Sequence, residues 1–146
     1  MNTQIPVESI RELDWNDYHK YIDKLADKIK SHQQSKKYKY VAGVDPDDMI
    51  VAVHLSHRLG IPVVTDINLL SLLINFADNS NSILIVSNVV ATGNSFKQIM
   101  EETKCEFDTA VLFKDINSKF SPTYHVEIPS ARIYFPWQPC GIDLKK

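Results

Sequence analysis

The stretch Ile83-Leu84-Ile85-Val86-Ser87-Asn88-Val89-Val90-Ala91-Thr92-Gly93-Asn94-Ser95 constrains the fold most. Ile83-Leu84-Ile85-Val86 is a continuous apolar run, the pattern of a strand covered on both faces. The chain then turns through small and hydroxylated residues into a helical segment that runs to about Glu102. A buried strand, a glycine turn and a helix are the parts of a parallel α/β sheet. Such sheets bind ligands at the carboxyl ends of their strands. Free backbone N–H groups at a helix start, beside Thr92 and Ser95 hydroxyls, make a phosphate cradle of Ala91, Thr92, Gly93, Asn94 and Ser95. The plain alternative is a strand-turn-helix in which Asn94 or Ser95 only caps the helix.

The rest of the chain repeats the alternation. An amphipathic helix is expected over residues 14–31, with Asp14 and Asp17 at its start and Tyr18, Tyr21, Ile22, Leu25 and Ile29 on one face. Residues 31–37 read as a polar surface loop. A strand is expected over residues 38–44, a helix over 47–58 stopped by Gly60, and a short strand over 61–64. Residues 67–76 fit a helix or a buried strand, with a helix preferred. Residues 82–86 and 109–113 read as buried strands, and 124–128 and 133–135 as short edge strands. The sum is a three-layer α/β domain with a central, mainly parallel, Rossmann-like sheet. One domain spans residues 1–146, with its core over about 38–138.

Composition narrows the function. Sixteen basic and 18 acidic residues leave a formal charge of −2, which gives no global field for nucleic acid or an anionic membrane. No apolar run approaches the ~20 residues of a spanning helix. The first residues lack the basic and apolar regions of a signal peptide. Two cysteines, Cys105 and Cys140, point to a reduced, cytoplasmic environment rather than a disulfide or metal framework. His54 and His57 sit three apart on a helix without further metal ligands at matching positions, and read as a half-buried helix face.

Several stretches, in order, resemble the type I phosphoribosyltransferases, most closely the hypoxanthine and xanthine-guanine branch. Leu13-Asp14-Trp15-Asn16-Asp17-Tyr18 is similar to the start of that family's amino-terminal helix. Val41-Ala42-Gly43-Val44, with Ile50-Val51-Ala52 and Leu59-Gly60-Ile61-Pro62-Val63, resembles its first strand, pyrophosphate loop and helix. Val86 to Ser95 resembles its phosphoribosyl-diphosphate signature. Phe113-Lys114 resembles the strand end that carries the purine-reading lysine. Ile133-Tyr134-Phe135-Pro136-Trp137 resembles the segment that closes over the base. The resemblance implies a 5′-phosphate at Ala91–Ser95, a base near Lys114 and Ile133, and self-association. Arg132 stands where the family has its stacking aromatic; its guanidinium can stack on a base, or it is an ordinary surface arginine, as Lys114 can be a solvated strand-end lysine.

The chemistry departs from the family. Its adjacent acidic pair, which holds ribose and magnesium, is Ser87 and Asn88 here, and its catalytic acidic residue is Ala91. Neutral side chains cannot balance Mg²⁺, and alanine cannot accept a proton. No magnesium or other cofactor is therefore expected. The pyrophosphate loop is Asp45-Pro46-Asp47-Asp48, whose carboxylates repel pyrophosphate. Asp45 as a cap, Pro46 at the first helical position and an acidic first turn explain it better than a metal cluster does. The leading reading is a degenerate phosphoribosyltransferase that binds a purine nucleoside monophosphate and has lost or greatly reduced transfer. The alternatives are an active purine phosphoribosyltransferase with altered chemistry, and a nucleotide hydrolase using Asp45, Asp47 or Asp48.

Overall fold

The structure, a computed structural model, describes residues 9–32, 38–77 and 82–138. The expected turn at 78–81, most of the loop at 31–37, and Cys140 lie outside the described residues.

Five parallel strands form the main sheet in the order β3-β2-β4-β5-β6. They are β2 (Tyr40–Gly43), β3 (Val63–Val64), β4 (Ile83–Val90), β5 (Asp108–Lys114) and β6 (Tyr124–Glu127). Central β4 pairs with β2 on one side and β5 on the other. Its residues 83–87 are all buried, as a strand covered on both faces requires. Helices α1 (Trp15–Ser31) and α2 (Pro46–Leu59) pack on one face of the sheet. Helices α3 (Ile67–Ala77) and α4 (Asn94–Thr103) pack on the other. The three layers follow.

Local chemistry fixes the helix ends. Asp14 Oδ1 accepts from the Asp17 N–H at 2.7 Å and Asp17 Oδ2 from the Asp14 N–H at 3.3 Å, a capping box at the start of α1. The buried face of α1 holds Tyr18, Tyr21, Ile22, Leu25, Ala26 and Ile29. Burying each large apolar side chain contributes about 1.5–3 kcal/mol. Helix α2 begins with Asp45 in extended geometry at the cap and Pro46 in the first turn, and Gly60 ends it with φ 70°. The segment at 67–76 that periodicity left open is a helix, with Leu70 and Ile74 buried and Leu69 and Leu72 exposed.

Two features differ from the sequence reading. Strand β4 does not stop at Val86; it runs to Val90, with Val89 and Val90 in register with Phe113 and Lys114. Ser87 and Asn88 are therefore strand residues, and the expected loop at 87–95 shrinks to 91–93. The polar side chains stay in the strand because each has a partner, as described below. The segment at 133–135 is not an edge of the main sheet. Strand β7 (Arg132–Tyr134) instead pairs in parallel with β1 (Ile10–Glu12), a strand the sequence reading did not anticipate. Leu13 N–H to Tyr134 O at 2.9 Å and Arg132 N–H to Ser9 O at 2.8 Å extend this pair. Arg11 ties it to the main body through an ion pair with Glu127 at 2.8 Å, while Tyr21 donates to the same carboxylate at 2.7 Å.

Gly43 closes the gap between β2 and α2. A Cβ there would lie 2.8 Å from the carbonyl carbon and oxygen of Asp48. Gly60 has open space around it and only its positive φ to satisfy. Gly43→Ala is expected to cost about 1–3 kcal/mol through overpacking against backbone that cannot yield. Gly60→Ala is expected to cost about 1–2 kcal/mol through left-handed geometry alone. Urea denaturation measures both, and only Gly43→Ala should also disturb the hydrogen bonds of Asp48.

Candidate functional site

The carboxyl ends of β2, β4 and β5 open into two adjoining cavities. The first, about 480 Å³, lies between residues 45–48 and residues 87–96. The second, about 550 Å³, lies between Asp115–Asn117 and the chain from Pro129 to Ile133. Asp47, Asn88, Val89 and Ala91 line both, so they form the wall between them.

Residues 91–95 lead into the start of α4. Gly93, not Asn94 or Ser95, holds the cap position and brings no side chain to cap the helix. Its φ of 79° is left-handed, and a Cβ would lie 2.5 Å from Phe120. Phe120 stacks on Phe96 with centroids 5.1 Å apart, so the turn rests on an aromatic pair. Thr92 Oγ1 accepts from the Asn94 N–H at 3.2 Å. Ala91, Thr92, Asn94 and Ser95 are exposed at the cavity. The start of α4, the positive end of the helix dipole, thus borders the first cavity.

The opposite wall is acidic and internally engaged. Asp48 is 4% exposed. Its Oδ1 accepts from Ser87 Oγ at 2.7 Å and from the Asn88 N–H at 3.3 Å, and its Oδ2 from the Asp45 N–H at 3.3 Å. Burial pushes the Asp48 carboxyl above the usual carboxylate range and the charge of Asp45 adds to this; the three donated hydrogen bonds oppose both. Asp47 is held differently: Trp137 Nε1 donates to Oδ1 at 3.1 Å and Gln138 Nε2 to Oδ2 at 2.8 Å. Asp45 is exposed at the helix cap. Asp47 and Asp48 are held by different partners, and among the described residues no group of three or more His, Cys, Asp or Glu could hold a metal ion.

The positions where magnesium would bind in the resembling family hold a poor donor set. The Ser87 hydroxyl hydrogen is directed to Asp48. Asn88 Oδ1 accepts from the Val89 N–H at 2.8 Å. A hard divalent cation asks for several unengaged, preferably anionic, oxygens. These residues do not fit one.

The expected base-contacting residues separate. Arg132 and Ile133 line the second cavity. Arg132 is exposed, with its guanidinium 5.3 Å from the Tyr134 ring centroid, so one face of its plane already lies over an aromatic ring. Lys114, half-buried at the end of β5, lines neither cavity, while the next three residues line the second. Sequence reasoning missed the contacts of Ser87 with Asp48, of Trp137 and Gln138 with Asp47, and of Phe120 with the glycine turn. Each joins residues far apart in the chain, and no local pattern signals them.

No protein-family model matches the sequence, and no curated protein does so significantly. Solved structures do. A purine phosphoribosyltransferase from Pyrococcus horikoshii has a TM-score of 0.70 at 24% identity, over 94% of this chain and 99% of that one. A xanthine-guanine-hypoxanthine phosphoribosyltransferase from Helicobacter pylori also scores 0.70, at 15% identity, over 90% of this chain and 93% of that one. A hypothetical protein from Neisseria gonorrhoeae with bound ppGpp scores 0.71 at 18% identity, over 94% of both chains. The chain has the phosphoribosyltransferase fold. Within that fold, both cavities occupy the strand-end position where α/β sheets take ligands.

Ser87→Ala tests the buried staple. Removing the hydroxyl leaves Asp48 without its shortest donor. The expected loss is about 1.5–3 kcal/mol, the range for a hydrogen bond to a charged group, read by denaturant unfolding. Because the Ser87 bond lowers the Asp48 pKa, the variant should raise it further. A raised carboxyl favours the folded state at low pH; its contribution declines as pH rises from the unfolded value through the folded one. The variant should therefore show that decline extended to higher pH, measured as stability against pH.

Proposed function

We propose that the protein binds a purine nucleoside monophosphate in the paired cavities and has lost, or greatly reduced, phosphoribosyl transfer. The observation that carries this reading is the asymmetry of the first cavity. One wall is an α4 start capped by a glycine, where only the Asn94 N–H is taken by a side chain, that of Thr92, and Ser95 lies beside it. The other wall has Asp48 buried against Ser87 and Asp47 bonded to Trp137 and Gln138. The 5′-phosphate sits at Ala91–Ser95, where charge-assisted hydrogen bonds contribute about 1.5–3 kcal/mol each. The base lies in the second cavity toward Ile133 and Arg132; Lys114 lines neither cavity and would reach the base only by extending from the end of β5. The structural likeness to a protein with bound ppGpp supports a nucleotide as the ligand class.

The same asymmetry argues against transfer. Pyrophosphate would face the carboxylates of Asp45, Asp47 and Asp48, and Ala91 supplies no base. Magnesium has no role in binding on this reading. The hydrolase alternative is not favoured, because Asp47 and Asp48 are held by separate partners rather than around one reacting centre.

Calorimetric titration with GMP and IMP, with and without magnesium, tests the binding. Affinity should not depend on the metal, and Thr92→Val or Ser95→Ala should weaken it about tenfold, one hydrogen bond's worth at 1.4 kcal/mol per decade. Unchanged binding in both variants would remove the cradle from the site.

A separate assay with guanine, xanthine or hypoxanthine plus phosphoribosyl diphosphate and magnesium should show little or no turnover. Rates on the order of 1–10³ s⁻¹ would overturn the loss of transfer. Combining Ser87→Asp, Asn88→Asp and Ala91→Asp should not restore activity, since the acidic wall remains.

A further inference from the structure

We propose that His54 and Tyr18 form an acid-sensitive latch that holds Trp137 on Asp47, and so holds the wall between the two cavities. The latch lies outside both cavities, at the junction of α1, α2 and the chain after β7. Tyr18, fully buried on α1, meets His54 Nδ1 on α2 with its hydroxyl at 2.7 Å. The Trp137 ring stands edge-on to Tyr18 with centroids 5.0 Å apart and stacks on Phe135 at 5.0 Å. Its indole N–H reaches Asp47, which lines both cavities. A contiguous path thus runs from His54 through Tyr18 and Trp137 to the cavity wall.

The groups facing His54 make it resist protonation. His57 and Arg58 lie on its own helix, and His19 faces it from α1 with ring centroids 5.3 Å apart. Arg58 Nη2 lies 3.1 Å from His19 Nδ1, and Arg58 Nε pairs with Asp23 at 3.0 Å. Trp15 adds a neutral ring at 6.5 Å. Burial, then the basic neighbours, lower the His54 pKa from its ordinary value of 6.5. Burial also raises that of Tyr18. With the imidazole neutral and its proton on Nε2, the tyrosine hydroxyl donates to Nδ1. When pH falls and Nδ1 takes a proton, two donors face each other. Tyr18 must turn its hydroxyl or move, and it is packed against Trp137 and Phe135.

The sign follows from linkage. A histidine with a lowered folded pKa contributes stability that is full above its unfolded pKa and is lost as pH falls through the window below 6.5. His125 also has a lowered pKa, from burial and then Lys28 and Lys114, so its titration must be told apart.

The chain has two tryptophans. Comparing Trp15→Phe with Trp137→Phe assigns the Trp137 indole N–H in ¹H–¹⁵N spectra of the ligand-free protein. As pH falls from 7.5 to 5, that resonance should shift, with the same midpoint as the His54 ring protons. Its exchange with water should rise at least tenfold relative to a free indole at the same pH. His54→Gln, which can accept from Tyr18 without titrating, should abolish the change. His57→Gln, altered at an exposed position on the same helix, should keep it. An indole that does not move above pH 5, that moves with the midpoint of His125, or that still moves in His54→Gln overturns the latch. The coincidence of midpoints in the unaltered protein decides the question even if His54→Gln does not fold. Because no ligand is present, failure here leaves the proposed nucleotide site standing, and failure of that site leaves the latch standing.

Discussion

A single buried carboxylate sets the geometry of the site. Asp48 joins the start of α2 to the end of β4 through Ser87 and the Asn88 amide, while Gly43 lets the same turn approach β2 closely. Burying an unpaired carboxylate would be costly, and three donors make it tolerable. The consequence is a fixed corner. The turn at Asp45–Asp48 cannot swing to meet a ligand without breaking bonds to the central strand. Across the cavity the α4 start carries no such tether. One cavity therefore has a wall committed to the protein and a wall left open to a guest.

Much of the fold was legible because its signals are local. The apolar face of α1, the Pro46 start and Gly60 stop of α2, and the continuous apolar run of β4 each arise from spacing within one element. Two errors have a common cause. β4 seemed to stop at Val86 because Ser87 and Asn88 are polar, yet Ser87 is satisfied by a residue 39 positions earlier. β1 went unseen because Ile10-Arg11-Glu12 has no hydrophobic periodicity; it is a strand only because β7 lies beside it. Tertiary partners decided both, and no window along the chain contains them.

The site was legible by position and less so by function. Residues 45–48 and 91–95, together with Ile133 and Phe135, do line the cavities at the sheet's carboxyl end. The resemblance did not show that the acidic residues bind each other's neighbours. Asp47 and Asp48 look like a metal cluster when read as a string of charges. In space they serve as acceptors for Trp137, Gln138 and Ser87, and the string ceases to be a unit.

The pairing of β1 with β7 also bears on how the protein is made. Residue 10 finds its partner at residue 132. During synthesis residue 10 emerges long before residue 132 and must wait unpaired until its partner follows. Long-range closure of this kind is slow because its entropy is lost before any contact rewards it. The sheet and its helices can assemble earlier from nearer neighbours. The β1–β7 clasp then closes after them, and a ribosome stalled before Arg132 would hold a nascent chain in which residues 10–12 are still searching for their partner.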